Sequence, residues 1–326
     1  MKLSPTEGTR AALDRSLTLE LVRVTERAAV AAAEWRGKGD EKAADHAAVE
    51  AMRDELGRVH LQGRIVIGEG ERDAAPMLFI GEEVGKGIGP EVDIAVDPLE
   101  GTTLCAKNQP DSICVLAMAE RGGLLNAPDV YMEKIAVGPA YPQGAIHIDA
   151  DPMDNIAEIA RLKGVPINEI TACVLDRPRH ARLLDKLRGA GCAVKLISDG
   201  DIAGIIHAVT PEETGIDIYL GSGGAPEGVL AAAALRAIGG QMQGRLILDN
   251  DDKRERARRM GVDDHARLYT EADLASGDVL FAATGVTDGS LLSGVKFRKE
   301  AIRTHTVVMR SWSRTVRWIS AEHRRG

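Results

Sequence analysis

Three acids stand at every second position of "GEGERD": Glu69, Glu71 and Asp73. In extended backbone, residues i, i+2 and i+4 project to one side. Three carboxylates on one side repel each other unless cations lie between them; the plain alternative is a solvated acidic turn. A second acidic turn stands in "DIAVDPLEGTT", residues 93–103. An apolar, β-branched run climbs to Val96 and stops at Asp97, Pro98, Leu99, Glu100, Gly101 and Thr102. Pro98 removes a backbone donor and fixes a bend. Gly101 lets the backbone come close to a ligand. Thr102 and Thr103 offer hydroxyls and N–H groups at a helix start, which suits an anion. By itself this stretch reads equally as a β-turn with a helix cap. Two such turns after two apolar strands are harder to explain that way, because strand ends in α/β proteins are where ligands are commonly placed. Oxygen-only ligands select hard cations, Mg2+ or Mn2+ before zinc. No His-x-x-x-His or Cys/His cluster competes for the role.

The remaining chemistry-bearing residues suit a phosphorylated sugar. "GSGGAPEG", residues 221–228, runs from a strand into glycines, with Pro226 where a helix begins. Free N–H groups at a helix N-terminus bind phosphate. Glu227 in the first turn serves either the helix dipole or a metal. The segment lacks the Lys-Ser/Thr of a P-loop and the GxGxxG of a dinucleotide site. "LDRPRH" leaves a strand with Arg177 and Arg179, and planar guanidinium grips phosphate bidentately. "SDGD" leaves the next strand with Asp199, Gly200 and Asp201, able to accept hydroxyl hydrogen bonds from a sugar. Asp199 as a plain N-cap is the alternative. Cations, phosphate grips at a distance from them and polyol contacts together describe a sugar bisphosphate.

These residues need elements to position them. Leu17, Leu21, Val24, Ala28 and Trp35 follow helical spacing up to Gly37 and Gly39. A second helix starts at the N-cap Asp40, carries Val49, Met52 and Leu56 on one stripe and stops at Gly57. One turn back along that stripe lies Asp45, an acid at an apolar edge or a ligand. "RIVIG", "VDIAV", "SICVLAMA" and "EKIAVG" read as strands. After about residue 165 strands and helices alternate: "ITACVLD" then a helix near 180–187, "CAVKLIS" then "DIAGIIHAV", "IDIYLGSGG" then "PEGVLAAAALRAIG". That rhythm predicts a parallel sheet with crossover helices. "DVLFAAT" and "RTHTVVMR" add late strands. The expected division is an N-terminal half, 1–165, with most acids, and a C-terminal half, 166–326, with the sugar-phosphate contacts and Glu227.

Composition bounds the rest. The chain has 326 residues, 44% hydrophobic but only 3% aromatic, so the core must be aliphatic. The net charge of −8 repels nucleic-acid phosphates unless a basic patch offsets it. The basic stretch 303–326, with two Trp, reads as a packed strand followed by a solvated tail rather than an RNA site. Cys105, Cys114, Cys173 and Cys192 form no CxxC pair, which favours reduced thiols in a cytoplasmic protein. No secretory pattern opens the sequence, and no run approaches the ~20 apolar residues of a membrane span. The expectations are a cytoplasmic location and no nucleic-acid or membrane partner.

At "DPLEGT" and "GEGE" the sequence resembles the lithium-sensitive, metal-dependent phosphatase superfamily. With "IGEGERDAAPMLFIGEEVG", "LNAPDVYMEKIAVGP", "RPRH", "DGD" and "GGAPEG", the resemblance narrows to class II fructose-1,6-bisphosphatase, the GlpX type, over residues of about 17–310. The resemblance implies an α/β fold, a layered α-β-α-β-α sandwich with two sheet-containing halves. It implies two or more Mn2+ or Mg2+ ions held by Asp45, Glu69, Asp97, Glu100 and Glu227. It implies substrate contacts from Glu100, Gly101, Thr102, Tyr131, Arg177, Pro178, Arg179, Asp199, Gly200, Asp201 and Gly224. The implied reaction is hydrolysis of the 1-phosphate of fructose 1,6-bisphosphate. Thr102 would align the water, with Asp73 as base and Glu71 as second choice. A homo-oligomer, dimer or tetramer, is implied as well. Ser222 stands where the family often has an aliphatic residue, and Glu41 where Lys is common. Sedoheptulose 1,7-bisphosphate is an alternative or additional substrate. An inositol-monophosphatase-like enzyme and a non-catalytic sugar-phosphate sensor are the other readings.

Overall fold

The computed structural model describes residues 13, 15–70, 77–209 and 211–325. Glu71 and Asp73 lie outside them. The strands are β1 (Gln62–Ile67), β2 (Glu83–Val84), β3 (Glu91–Glu100), β4 (Ile113–Glu120), β5 (Tyr131–Val137), β6 (Thr171–Leu175) and β7 (Ala193–Ile197). They continue as β8 (Ile218–Gly224), β9 (Gln241–Leu246), β10 (Tyr269–Thr270), β11 (Val279–Gly285), β12 (Lys296–Phe297), β13 (Ala301–Arg310) and β14 (Thr315–Arg324). The helices are α1 (Leu17–Ala33), α2 (Glu41–Leu56), α3 (Thr102–Ala106), α4 (Pro152–Lys163) and α5 (Ala181–Gly189). After them come α6 (Asp201–His207), α7 (Pro211–Thr214), α8 (Ala225–Ile238), α9 (Asp251–Arg259) and α10 (Glu271–Leu274).

Among the described residues the strands form two mixed sheets. The eight-stranded sheet runs β12-β13-β11-β4-β3-β1-β2, with β14 also on β13; the six-stranded sheet runs β10-β9-β5-β8-β6-β7. Period-two alternation shows how both faces are used. On β4, Ile113, Val115, Ala117 and Ala119 enter the core between the sheets, while Cys114, Leu116 and Met118 enter the core under α1 and α2. On β5, Met132 and Ala136 face the inner core, and Ile135 and Val137 face the outer core shared with α4 and α5. The layers are therefore α1/α2, the first sheet, α6/α8/α10, the second sheet, and α4/α5, the α-β-α-β-α order expected. Helix α8 is enclosed between sheets, and Ala231–Ala234 are fully buried. A helix apolar all round belongs in such a place. Its small side chains let the two sheets close on it, with Tyr219, Tyr269 and Phe281 the aromatic residues in that core.

Three features differ from the sequence expectations. The C-terminal sheet is parallel only where β6 meets β7 and β8. Strand β5 inserts antiparallel between β8 and β9, a pairing across many intervening residues that local strand–helix rhythm does not encode. Second, the two sheets and the two expected halves do not map one to one: β5 precedes residue 165 yet joins the second sheet, and β11–β14 follow it yet join the first. Third, the basic C-terminal stretch is no tail. Residues 315–324 pair with β13 along its whole length. The four cysteines are buried and free. No helix among the described residues is long and apolar enough to cross a membrane.

Candidate active site

The end of β3 is shaped by one extra residue. Asp97 lies opposite Val115 on β4 and Glu100 opposite Ile113, so three steps on β3 face two on its neighbour. Such a bulge bends a strand and re-aims its side chains, and it places Pro98 where a lost donor costs little. The Ser112 hydroxyl donates to the Glu100 carbonyl at 3.0 Å, tying the turn to β4. Gly101 follows in the left-handed conformation, φ +76°, and α3 begins at Thr102.

Two adjoining cavities open from this turn. The first, about 260 Å³, is lined by Asp45, Glu69, Asp97, Thr102, Asp129 and Glu227, among others. The second, about 280 Å³, includes Asp97, Glu100, Gly101, Thr102, Tyr131, Arg177, Arg179, Asp199, Gly200, Asp201, Gly224 and Glu227 in its wall. Asp97, Leu99, Thr102 and Glu227 belong to both. Pro178 shapes the turn between the two arginines but is not in the wall. A larger cavity of about 520 Å³ lies elsewhere, lined by Ile206, Ile216, Met309 and Trp318 among others. It has a largely apolar wall and none of the clustered acids.

The acid-lined cavity is electrostatically unbalanced. Burial, and secondly the charge of Asp45, pushes Glu69 up to about 7. Asp97 is raised well above the carboxylate range by burial first, then by Glu227, Glu69 and Asp45. Glu100 is likewise raised well above it by burial, then by Asp97 and Asp201. Glu227 is raised by burial and Asp201, with Lys134 acting against them. Burial raises Asp45 too. Among the described residues no three His, Cys, Asp or Glu side chains converge as an assembled metal site; the acids stand around the cavity rather than meeting at a point. Their chemistry nevertheless fits hard cations: the donors are all oxygens, and Glu100 Oε2 is buried with no hydrogen-bond partner.

The second cavity is held by specific contacts. Arg177 donates to the Ser198 carbonyl and pairs with Asp199 at 3.4 Å. Arg179 donates to the Ser222 carbonyl at 2.6 Å and lies over the Tyr131 ring, 4.6 Å from its centroid. His180, buried, fixes this turn: Ser222 N–H donates to its Nε2 at 2.8 Å, and its Nδ1 lies 2.8 Å from the Leu175 carbonyl. The glycines of "GSGGAPEG" leave room for acids: a Cβ at Gly224 would lie 1.8 Å from Glu227 Oε2.

Sequence reasoning missed Asp129, Lys134, His180 and Tyr219. Asp129 and His180 stood inside quoted motifs without a role. Lys134 carried a readable signal, since it shares the inward parity of Met132 and Ala136 on β5.

Acids fit for cations beside a cavity with arginines and hydroxyl acceptors, carried on a two-sheet sandwich, define a metal-dependent phosphatase of small phosphorylated molecules. Residues 15–323 match the family described as "Bacterial fructose-1,6-bisphosphatase, glpX-encoded". The chain is 48% identical to the D-fructose 1,6-bisphosphatase class 2/sedoheptulose 1,7-bisphosphatase of Synechococcus sp. (strain JA-2-3B'a(2-13)), covering 95% of this chain and 96% of that one. It is 46% identical to the protein of the same name from Prochlorococcus marinus (strain NATL1A), covering 95% and 97%. The chain belongs to this family of class II fructose-1,6-bisphosphatases, metal-dependent hydrolases of carbohydrate metabolism.

Proposed function

We propose that the chain removes the 1-phosphate of fructose 1,6-bisphosphate and, with the same residues, that of sedoheptulose 1,7-bisphosphate. The observation that carries this reading is the junction of the two cavities at Asp97, Thr102 and Glu227. An ester bond placed there has acids on one side and arginines on the other. Sedoheptulose bisphosphate is longer by one hydroxymethylene unit, and the relatives above are named for both substrates. The paired Arg177 and Arg179 favour a bisphosphate over an inositol monophosphate.

Asp45, Glu69, Asp97, Glu100 and Glu227 would hold two or more Mn2+ or Mg2+ ions. When bound, these ions offset charge on the phosphoryl oxygens and acidify a water. Thr102 lies in both cavities and orients that water from the first residue of α3. Its proton passes to Asp73, or to Glu71. Arg177 and Arg179 leave their carbonyl partners to grip the phosphate that stays, and Tyr131 carries Arg179 on its face. Asp199, Gly200, Asp201 and Gly224 receive the sugar. The enzyme works in the cytoplasm as a homo-oligomer, a dimer or a tetramer, on small molecules rather than nucleic acid. Phosphate release from the two bisphosphates and from inositol phosphate, each with Mg2+ and with Mn2+ and after chelation, tests the reading. Turnover confined to the bisphosphates and abolished by chelator is expected. Full activity in chelated protein, or preference for the monophosphate, overturns it.

A further inference from the structure

We infer that Lys134 is a positioning residue for the sugar: with Tyr219 it clamps one oxygen of Asp201 and leaves the other open to a substrate hydroxyl. This rests on the reading of Asp201 as a sugar contact. Lys134 is 1% exposed, and lysine is almost never so buried unless paired. Its ammonium donates to the Gly224 carbonyl at 2.9 Å and pairs with Asp201 Oδ2. The Tyr219 hydroxyl donates to the same Oδ2 at 3.1 Å. Two donors thus hold one oxygen, while Asp201 Oδ1 is buried without a hydrogen-bond partner. Buried polar atoms are rarely left so, and Asp201 lies in the wall of the sugar-side cavity.

The neighbouring Glu100, whose open oxygen would face the cations instead, is held from the same helix. Its Oε1 accepts from the Ile202 N–H at 2.9 Å, and its Oε2 has no partner. Both holding contacts converge on the first turn of α6, so the open oxygens are set by the same rigid element. Position 223 must be glycine for this clamp, since a Cβ there would lie 2.0 Å from Asp201 Oδ2 and 3.1 Å from Lys134 Nζ. The charge on Lys134 has a second use. Asp201 sits near Glu100 and Glu227, and a buried counter-ion keeps it in place among like charges, where an unpaired carboxylate would be driven outward. A charge-assisted hydrogen bond from a sugar hydroxyl then meets an acceptor already aligned.

The test uses the full chain, metal-free, with fructose 6-phosphate as probe, because that molecule keeps one phosphate and the hydroxyls. Calorimetric Kd and Tm would be measured for Lys134→Met, Asp201→Asn, the double variant and Tyr219→Phe. KM and kcat would follow at saturating metal. Lys134→Met and Asp201→Asn should each weaken binding roughly ten- to hundredfold, the range for a hydrogen bond to a charged group. KM should rise more than kcat falls. The double variant should bind no worse than Asp201→Asn alone, because Lys134 acts through Asp201, and it should melt higher than Lys134→Met, having no unpaired buried carboxylate. Wild-type binding by Lys134→Met with only a lower Tm would make the lysine merely structural and overturn the inference. Multiplied defects in the double variant would overturn it too. Wild-type binding by Asp201→Asn would instead overturn the sugar-contact reading beneath it. Should Lys134→Met not fold, Tyr219→Phe decides, since it removes only the hydroxyl of the same clamp. A severalfold loss of binding supports the clamp, and wild-type binding overturns it.

Discussion

The two cavities that meet at Thr102 treat charge in opposite ways. Around the first, burial raises Asp45, Glu69, Asp97 and Glu227; Asp45 further raises Glu69, and Glu227, Glu69 and Asp45 further raise Asp97, while His46 acts the other way on Asp45 and Lys134 on Glu227. Around the second, the basic groups each have a partner: Arg177 with Asp199, Lys134 with Asp201, Arg179 with the Ser222 carbonyl and the Tyr131 ring. One region stores repulsion that external cations relieve. The other is aligned in advance by its own counter-ions. Chemistry in which charge builds on a phosphoryl group needs the first kind of site. Recognition of a sugar with fixed hydroxyls needs the second. Substitutions should therefore separate cleanly into those that change rate and those that change affinity.

The largest effects should come from the unbalanced side. Asp97→Asn keeps shape and removes one of the mutually repelling charges. Its rate at saturating substrate should fall by about three orders of magnitude or more, since bound metal supplies several kcal/mol of transition-state charge stabilisation. Yet its metal-free form should melt no lower than wild type at pH 8, because a destabilising charge is gone. Thr102→Val should lower kcat by roughly 10²–10⁴-fold, the range for positioned acid–base groups, with KM changed far less. Steady-state phosphate release and calorimetry check both. A metal-free Asp97→Asn protein that melts well below wild type would show that Asp97 is structural and that the repulsion is not there.

Proton linkage sharpens the same contrast. Carboxylates raised in the fold bind more protons folded than unfolded between their ordinary values and their raised ones. For Glu69 that window runs from 4.5 to about 7. Where the folded state binds more protons, stability falls as pH rises. Metal-free protein should therefore lose stability from about pH 4.5 through 7. Cations that bind the ionised form restore it by mass action. The Tm gain on adding Mn2+ should thus be larger at pH 8 than at pH 5.5. Surface carboxylates such as Asp149 and Asp288 are lowered by Arg245 and Lys296, so their contribution is lost only at more acid pH and leaves this window undisturbed. An equal or smaller gain at pH 8 would contradict stored repulsion.

On the balanced side, Arg177→Ala and Arg179→Ala should raise KM roughly tenfold or more, as expected for loss of a charge-assisted phosphate contact, while lowering kcat less. Equal falls in kcat and kcat/KM would move the arginines to the reacting phosphate.

How far this division can be read from the chain depends on the range of the signal. Asp45 was legible because Val49, Met52 and Leu56 mark a helix stripe that it continues. The turn at Asp97–Thr102 was legible because proline, glycine and acids broke an apolar run. The strand–helix alternation giving β6, β7 and β8 is local and was legible too. The insertion of β5 between β8 and β9 was not, since pairing across many intervening residues leaves no mark in local periodicity. Nor was β14: with charges along a solvated edge strand, it reads as a tail. Lys134 shows the limit most plainly. Its inward parity was visible, but only the fold brings Asp201 and Tyr219 to it.

The smallest effect expected is at Ser222. Its hydroxyl lies 3.1 Å from Arg179 Nε and 3.1 Å from His180 Nε2, which suggests a large role. The backbone argues otherwise. Arg179 also donates to the Ser222 carbonyl from Nε at 3.1 Å and from Nη2 at 2.6 Å. His180 Nε2 already accepts from the Ser222 N–H at 2.8 Å. None of these contacts needs the side chain. Ser222→Ala should therefore change KM by less than about threefold, the lower end of what one hydrogen bond contributes. His180→Ala removes the acceptor of that N–H and the ring beside the Leu175 carbonyl, leaving buried backbone groups to find other partners. It should raise KM well beyond the Ser222→Ala value, with kcat moved less. If Ser222→Ala were as damaging as His180→Ala, Arg179 would be aligned by the hydroxyl. The counter-ion side would then depend on one side-chain hydroxyl.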